Sequence, residues 1–135
     1  MQPPFEILEH TADVGFRVSG ATAAELFENA ARALLSFTSG SDGAASERAV
    51  EIQGEDYESL LVNWLSEILY LFDSGEFAAA AFHIGAISPT RLRARLTGAP
   101  RRSAAWRLIV KAVTYHQIEV KETGGRWEAT VYLDV

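Results

Sequence analysis

Residues 110–135 read VKAVTYHQIEVKETGGRWEATVYLDV, and this stretch decides the fold. Val110, Ala112, Thr114, His116, Ile118 and Val120 alternate with polar residues and form one face of a long strand. Gly124-Gly125 supplies a turn, because adjacent glycines accept the left-handed backbone of a tight hairpin. Trp127, Ala129, Val131, Leu133 and Val135 form the apolar face of the returning strand. A loop of two or four residues centred on the glycines brings Ile118 and Val120 onto the face of Trp127, Ala129 and Val131. Carried along the hairpin, that register sets Tyr115 opposite Asp134, with Lys111 further along the same face. A lysine, an aspartate and the terminal carboxylate of Val135 are then expected close together. A three-residue loop would undo this. His116, on the apolar face, reads as a satisfied core histidine.

Outward from the hairpin, two helices are expected. Thr22-Ala23-Ala24-Glu25 has capping-box spacing, and Phe27, Ala30, Ala31, Leu34 and Leu35 then recur on one helical face. The second helix runs from about Asp56 to Ser74, with Gly75 as its stop. Leu61, Trp64, Leu65, Ile68, Leu69 and Phe72 make its stripe, widened by Val62 and Leu71, so it is expected to lie deep against a sheet. Shorter alternations predict strands around Val14–Val18, Val50–Ile52 and Leu92–Leu96. The segment from Ser39 to Ser46 is small and polar and reads as a loop.

The 135 residues suit one domain, 1–135, with no repeat and no dividing linker. A composition of 48% hydrophobic and 22% charged residues is that of a folded globule. The absence of cysteine excludes a disulfide framework, a thiol nucleophile and an iron–sulfur site, and agrees with a reducing compartment. A net charge of −6 argues against coating nucleic acid by bulk charge. The first residues have no signal-peptide pattern, and the longest apolar run, Phe77 to Phe82, is far short of the ~20 residues a membrane helix needs. The expectation is a cytoplasmic protein without membrane contact.

The densest polar cluster is Glu9-His10-Thr11-Ala12-Asp13-Val14-Gly15, which reads as a ligand site or as a capped turn. Asp134-Val135 offers hard oxygen ligands, or else a solvated terminus. Asp13, Asp134 and the α-carboxylate together would make an acidic pocket whose repulsion a divalent cation relieves. His10, His83 and His116 lack zinc-site spacing. No phosphate-binding glycine loop and no Gly-x-Ser-x-Gly elbow occurs. Arg91, Arg93, Arg95, Arg101, Arg102 and Arg107 hold half of the 12 basic residues, with no acid between Arg91 and Arg107. They read as a solvated strand face plus a loop, or as a patch for an acidic partner or RNA backbone.

Four stretches in order resemble the archease family: His10-Thr11-Ala12-Asp13-Val14-Gly15, Glu25 to Ala31, Leu60 to Tyr70, and Lys111-Ala112-Val113-Thr114-Tyr115-His116 with the ending Leu133-Asp134-Val135. The resemblance implies a two-layer α+β domain with a mixed β-sheet packed against two helices. It implies a protein cofactor of the RNA-splicing ligase RtcB rather than an enzyme: an activator that promotes guanylylation of the ligase and its repeated turnover in tRNA splicing and RNA repair. A second role it implies is as chaperone or specificity modulator of an RNA methyltransferase. Residue by residue, it makes Asp13, Asp134 and Val135 the ligands of a divalent metal (calcium, magnesium or manganese) and Lys111 the assisting residue in the ligase active site. His10, Thr11 and Tyr115 would stand around them, with RNA contact indirect. The basic, shortened segment Ala99–Arg107 departs from the family pattern. Rival readings are a metal-dependent phosphoesterase using Asp13 and Asp134, or an RNA-binding module working through the arginine strand.

Overall fold

The computed structural model describes residues 4–10, 13–39, 46–100 and 105–135. In chain order its elements are β1 (Phe5–His10), β2 (Asp13–Gly20), α1 (Ala23–Leu35), β3 (Thr38–Ser39), β4 (Ser46–Gln53) and α2 (Tyr57–Asp73). They continue with β5 (Ala78–Ile87), β6 (Arg91–Ala99), β7 (Ala105–Trp106), β8 (Ala112–Val113), β9 (Glu119–Thr123) and β10 (Arg126–Asp134). The class is α+β, as expected. The mixed sheet is corrected: among the described residues every strand pair is antiparallel, in three sheets. One has the order β1-β2-β10-β8, with β9 also on β10; a second is β4-β6-β5; β3 and β7 form a small third.

The hairpin closes as its glycines predict. Gly124 and Gly125 have φ of 60° and 79°, the two left-handed positions of a type I′ turn, and Glu122 pairs with Trp127. The long first strand does not form. It breaks into β8 and β9, and Ala112 rather than Tyr115 stands opposite Asp134. The break has local causes. Thr114 turns its hydroxyl onto Tyr132 O at 3.0 Å, and the same oxygen takes the Thr114 amide at 3.1 Å. His116 N donates back to Thr114 Oγ1 at 3.3 Å, and Ile118 N closes a turn onto Tyr115 O at 3.2 Å. Gln117 takes a positive φ of 52° at the third position of this turn. The bend consumes residues without advancing along β10, so the register slips.

Both helices start as their sequences direct. Thr22 Oγ1 accepts from Glu25 N at 3.1 Å, while Glu25 reaches past the cap to Ala21 N at 3.2 Å. Asp56 and Ser59 form a reciprocal capping box, and Gly75 (φ 78°) follows the end of α2. Both helices pack on both larger sheets. The alternation of β6 shows how: Leu92, Ala94 and Leu96 are buried beneath the helices while Arg91, Arg93 and Arg95 stay exposed. Trp64 lies at the centre, fully buried, with its indole N–H on Phe27 O at 2.9 Å and Phe82 edge-on at 6.1 Å. Among the described residues no helix is long and apolar enough to cross a membrane.

Trp64→Ala is expected to cost ~3–5 kcal/mol, since the surrounding close-packed side chains cannot collapse into the space. A urea unfolding curve checks it: the midpoint falls at unchanged slope.

Candidate functional site

The ladder between β2 and β10 builds the site. It runs from Trp127 opposite Gly20 to Asp134 opposite Asp13, so the two aspartates are cross-strand partners at the sheet end. Directly opposite residues have their Cβ atoms ~4.5–5.5 Å apart and share a face. On the far side of β2, His10 is the register partner of Asp13; on the far side of β10, Ala112 is the partner of Asp134. His10, Asp13, Asp134 and Ala112 therefore form one row across four strands. Lys111 is tied to the row through its backbone, its N–H donating to Asp134 O at 2.7 Å. Its side chain is exposed.

The structure thus brings together Asp13, Asp134 and Lys111, with Val135 half-buried next in the chain. His10 joins them by register alone, and Thr11 lies outside the described residues. Two expectations are corrected. Tyr115 does not face Asp134: the bend carries it to a groove at the start of α2 with Glu58, Ser59 and Ile118, where it is 57% exposed. His116 is not in the core. It is exposed, and its ring packs edge-on against Tyr132 at 5.9 Å. The cause of both is the bend after Thr114, which ends the alternation that placed them.

The role of Tyr132 was missed by sequence reasoning. It is the cross-strand partner of Gly15, and its ring lies over that glycine so closely that a Cβ there would sit 2.8 Å from ring carbons. The glycine of the Asp13-Val14-Gly15 stretch is needed because an aromatic ring occupies the space of its side chain. An aromatic directly across from a strand glycine is the available signal. Trp106, in the basic segment, was also missed: its indole N–H donates to Asp73 Oδ1 at 2.8 Å and its ring packs on Phe72. Arg101 and Arg102 lie outside the described residues.

Chemically, the row offers two hard carboxylate donors held by a rigid ladder, with a main-chain oxygen of Val135 next in line. That donor set suits a hard divalent cation and not a soft one. Among the described residues no group of three His, Asp or Glu side chains encloses a metal.

Comparison with known proteins gives the family. The family model described as "Archease protein family (MTH1598/TM1083)" matches residues 5–135. The chain belongs to the archease family. It is 38% identical over 139 residues to the protein archease of Methanosarcina mazei, covering 97% of this chain and 95% of that one. It is 36% identical to that of Archaeoglobus fulgidus, covering 97% and 98%. A solution structure of protein 1598 of Methanobacterium thermoautotrophicum superposes with a TM-score of 0.83 at 35% identity, covering 98% of this chain and 99% of that one. A crystal structure from Thermotoga maritima, described as an archease and possible chaperone, superposes with a TM-score of 0.72 at 24% identity, covering 100% and 98%, and shares the fold.

Two substitutions check the geometry. Asp134→Asn is expected to raise metal-free stability by ~0.2–1 kcal/mol, because like charges directly opposite in a sheet repel; chemical denaturation in chelator measures it. Gln117→Gly is expected to stabilise by about 1 kcal/mol, since the left-handed conformation is unfavourable for an L side chain; a melting curve that drops instead would contradict the turn.

Proposed function

We propose that this archease is a non-enzymatic activator of the RNA-splicing ligase RtcB, working through the sheet end that carries Asp13, Asp134 and Lys111. The observation that carries the reading is the cross-strand pairing of Asp13 with Asp134, with Lys111 anchored to the backbone of Asp134. Family membership gives that pairing its meaning.

The donor chemistry fits a calcium, magnesium or manganese ion, held by the carboxylates of Asp13 and Asp134 and a main-chain oxygen of Val135. Such an ion, when bound, neutralises phosphate charge of the kind that develops in nucleotidyl transfer. The chain's own residues do the rest. The β2–β10 ladder holds the two carboxylates in a fixed relation, so no ordering is needed on docking. Lys111, anchored to Asp134 through its backbone, has an exposed side chain whose ammonium is a point charge suited to the phosphates of a nucleotide in the ligase cleft. Tyr132, seated on Gly15, fixes the floor next to Asp13. Guanylylation and repeated turnover of the ligase are the steps the tip would assist, in the cytoplasm and without membrane contact.

A second reading, chaperone or specificity modulator of an RNA methyltransferase, has in its favour the words "possible chaperone" attached to the Thermotoga relative. It gives the acidic end no role.

The test is multiple-turnover RNA ligation by RtcB from the same organism, with GTP and divalent metal. Substoichiometric wild-type protein is expected to stimulate it, and Asp13→Ala or Lys111→Ala to lose roughly tenfold or more of the stimulation. Variants that stimulate as well as wild type would sink the proposal and favour the second reading.

A further inference from the structure

The outer face of the β4-β6-β5 sheet carries a feature that the acidic end leaves unused. Arg91, Arg93 and Arg95 stand exposed in a row along the central strand, about 6.6 Å apart by strand geometry. Beside them runs a furrow. Three hollows of about 240, 590 and 180 Å³ follow β6 in sequence, and each neighbouring pair shares an arginine: Arg93 joins the first two, Arg95 the last two. On its β5 side the furrow is lined by the small residues Ala81, Gly85 and Ala86, with exposed His83 at the two hollows that meet at Arg95, and β5 has irregular register at Ala79/Ala81 and Ile84/Ala86. From Arg91 to Thr97 it spans about 20 Å.

The charges on this face are unequal. Arg91 and Arg93 share Glu51, at 3.8 and 3.3 Å, and both pairs are exposed. Arg95 has Ala49 and His83 as cross-strand partners and makes no ion pair among the described residues. Exposed pairs of this kind contribute little, so an incoming anion can displace Glu51. Phe82 lines the hollow at Arg95 but is only 7% exposed, its ring packed against Trp64, so among the described residues the furrow has no exposed aromatic platform for stacking bases.

We propose that this furrow binds the phosphodiester backbone of single-stranded nucleic acid, without sequence preference. A linear polymer with one negative charge per unit matches an evenly spaced row of guanidinium groups beside a narrow track. An acidic peptide matches less well. An extended peptide turns alternate side chains away, and β6 is paired on both edges, so it offers no free backbone for strand addition. The site is independent of the ligase-activator reading, at another sheet and with the opposite charge.

The test uses the full-length protein alone, without ligase or metal. Fluorescence anisotropy of a labelled single-stranded oligouridylate at low ionic strength is expected to show binding. Its log K should fall against log salt with a slope near −2, that of about three neutralised phosphates. The triple variant Arg91→Ala, Arg93→Ala, Arg95→Ala should bind at least tenfold more weakly. Arg95→Ala alone should flatten the slope by roughly 0.7, and Glu51→Gln should tighten binding. Circular dichroism establishes that each variant is folded. No binding by wild type, a folded triple variant that binds as wild type does, or polyglutamate that displaces the RNA at lower concentration than RNA of equal charge would each overturn the proposal; the last would assign the furrow to an acidic protein.

Discussion

Strand β10 lies between β2 on one side and β8 with β9 on the other, and its ladder with β2 is the constraint on which the rest of the structure depends. It joins the first twenty residues to the last ten, so the fold cannot form until the chain ends meet. It seals one face of the sheet over Phe16, Val18, Ala129, Val131 and Leu133, all buried. The same eight pairs set two acids side by side at the end of the ladder. Packing on one face and charge on the other are therefore one geometric decision, because a slip of a single residue would exchange them.

The helices turn two sheets into one packed body. Besides burying their apolar stripes, they lend carboxylates to strand backbone that neighbouring strands do not serve. Glu28 of α1 accepts from Ile84 N in β5 at 3.0 Å, and Glu58 of α2 accepts from Val120 N in β9 at 3.2 Å. Asn29, the buried polar residue of α1, donates to Ser19 O at 2.8 Å and accepts from Arg32 at 2.7 Å. The contacts of Glu28, Glu58 and Asn29 to Ile84 N, Val120 N and Ser19 O each tie a helix to the strand it covers, while Arg32 satisfies the Asn29 carbonyl from within α1.

Much of this was legible where two local signals agreed. The second helix had its apolar period and its Gly75 stop; β10 had strict alternation and a glycine pair before it. The arginine face followed from alternation in β6, although the bridging role of Glu51 did not, since cross-strand neighbours are not adjacent in sequence. The broken strand was illegible because Val110 to Val120 keeps the right alternation throughout. What interrupts it is a threonine hydroxyl that competes for a backbone oxygen and a glutamine in a conformation its type rarely adopts. The acidic end was reached by a register that fails before it gets there. Lys111 does meet Asp134, through its main chain, while Tyr115 does not. The neighbour that matters most, Asp13, comes from the opposite end of the chain, and residue order gives no local hint of that meeting.

The bend at Tyr115–Gln117 acts as a slip joint. The strand before it and the strand after it pair with β10 in different registers, so neither half sets the other. A residue gained or lost at the Gly124-Gly125 tip would slide β9 along β10 and be absorbed at the joint. The pairing of Asp134 with Asp13 and Ala112, keyed from the other side of β10, would stay in place. The hairpin tip is thereby free to drift in length over evolutionary time while the acidic row keeps its spacing.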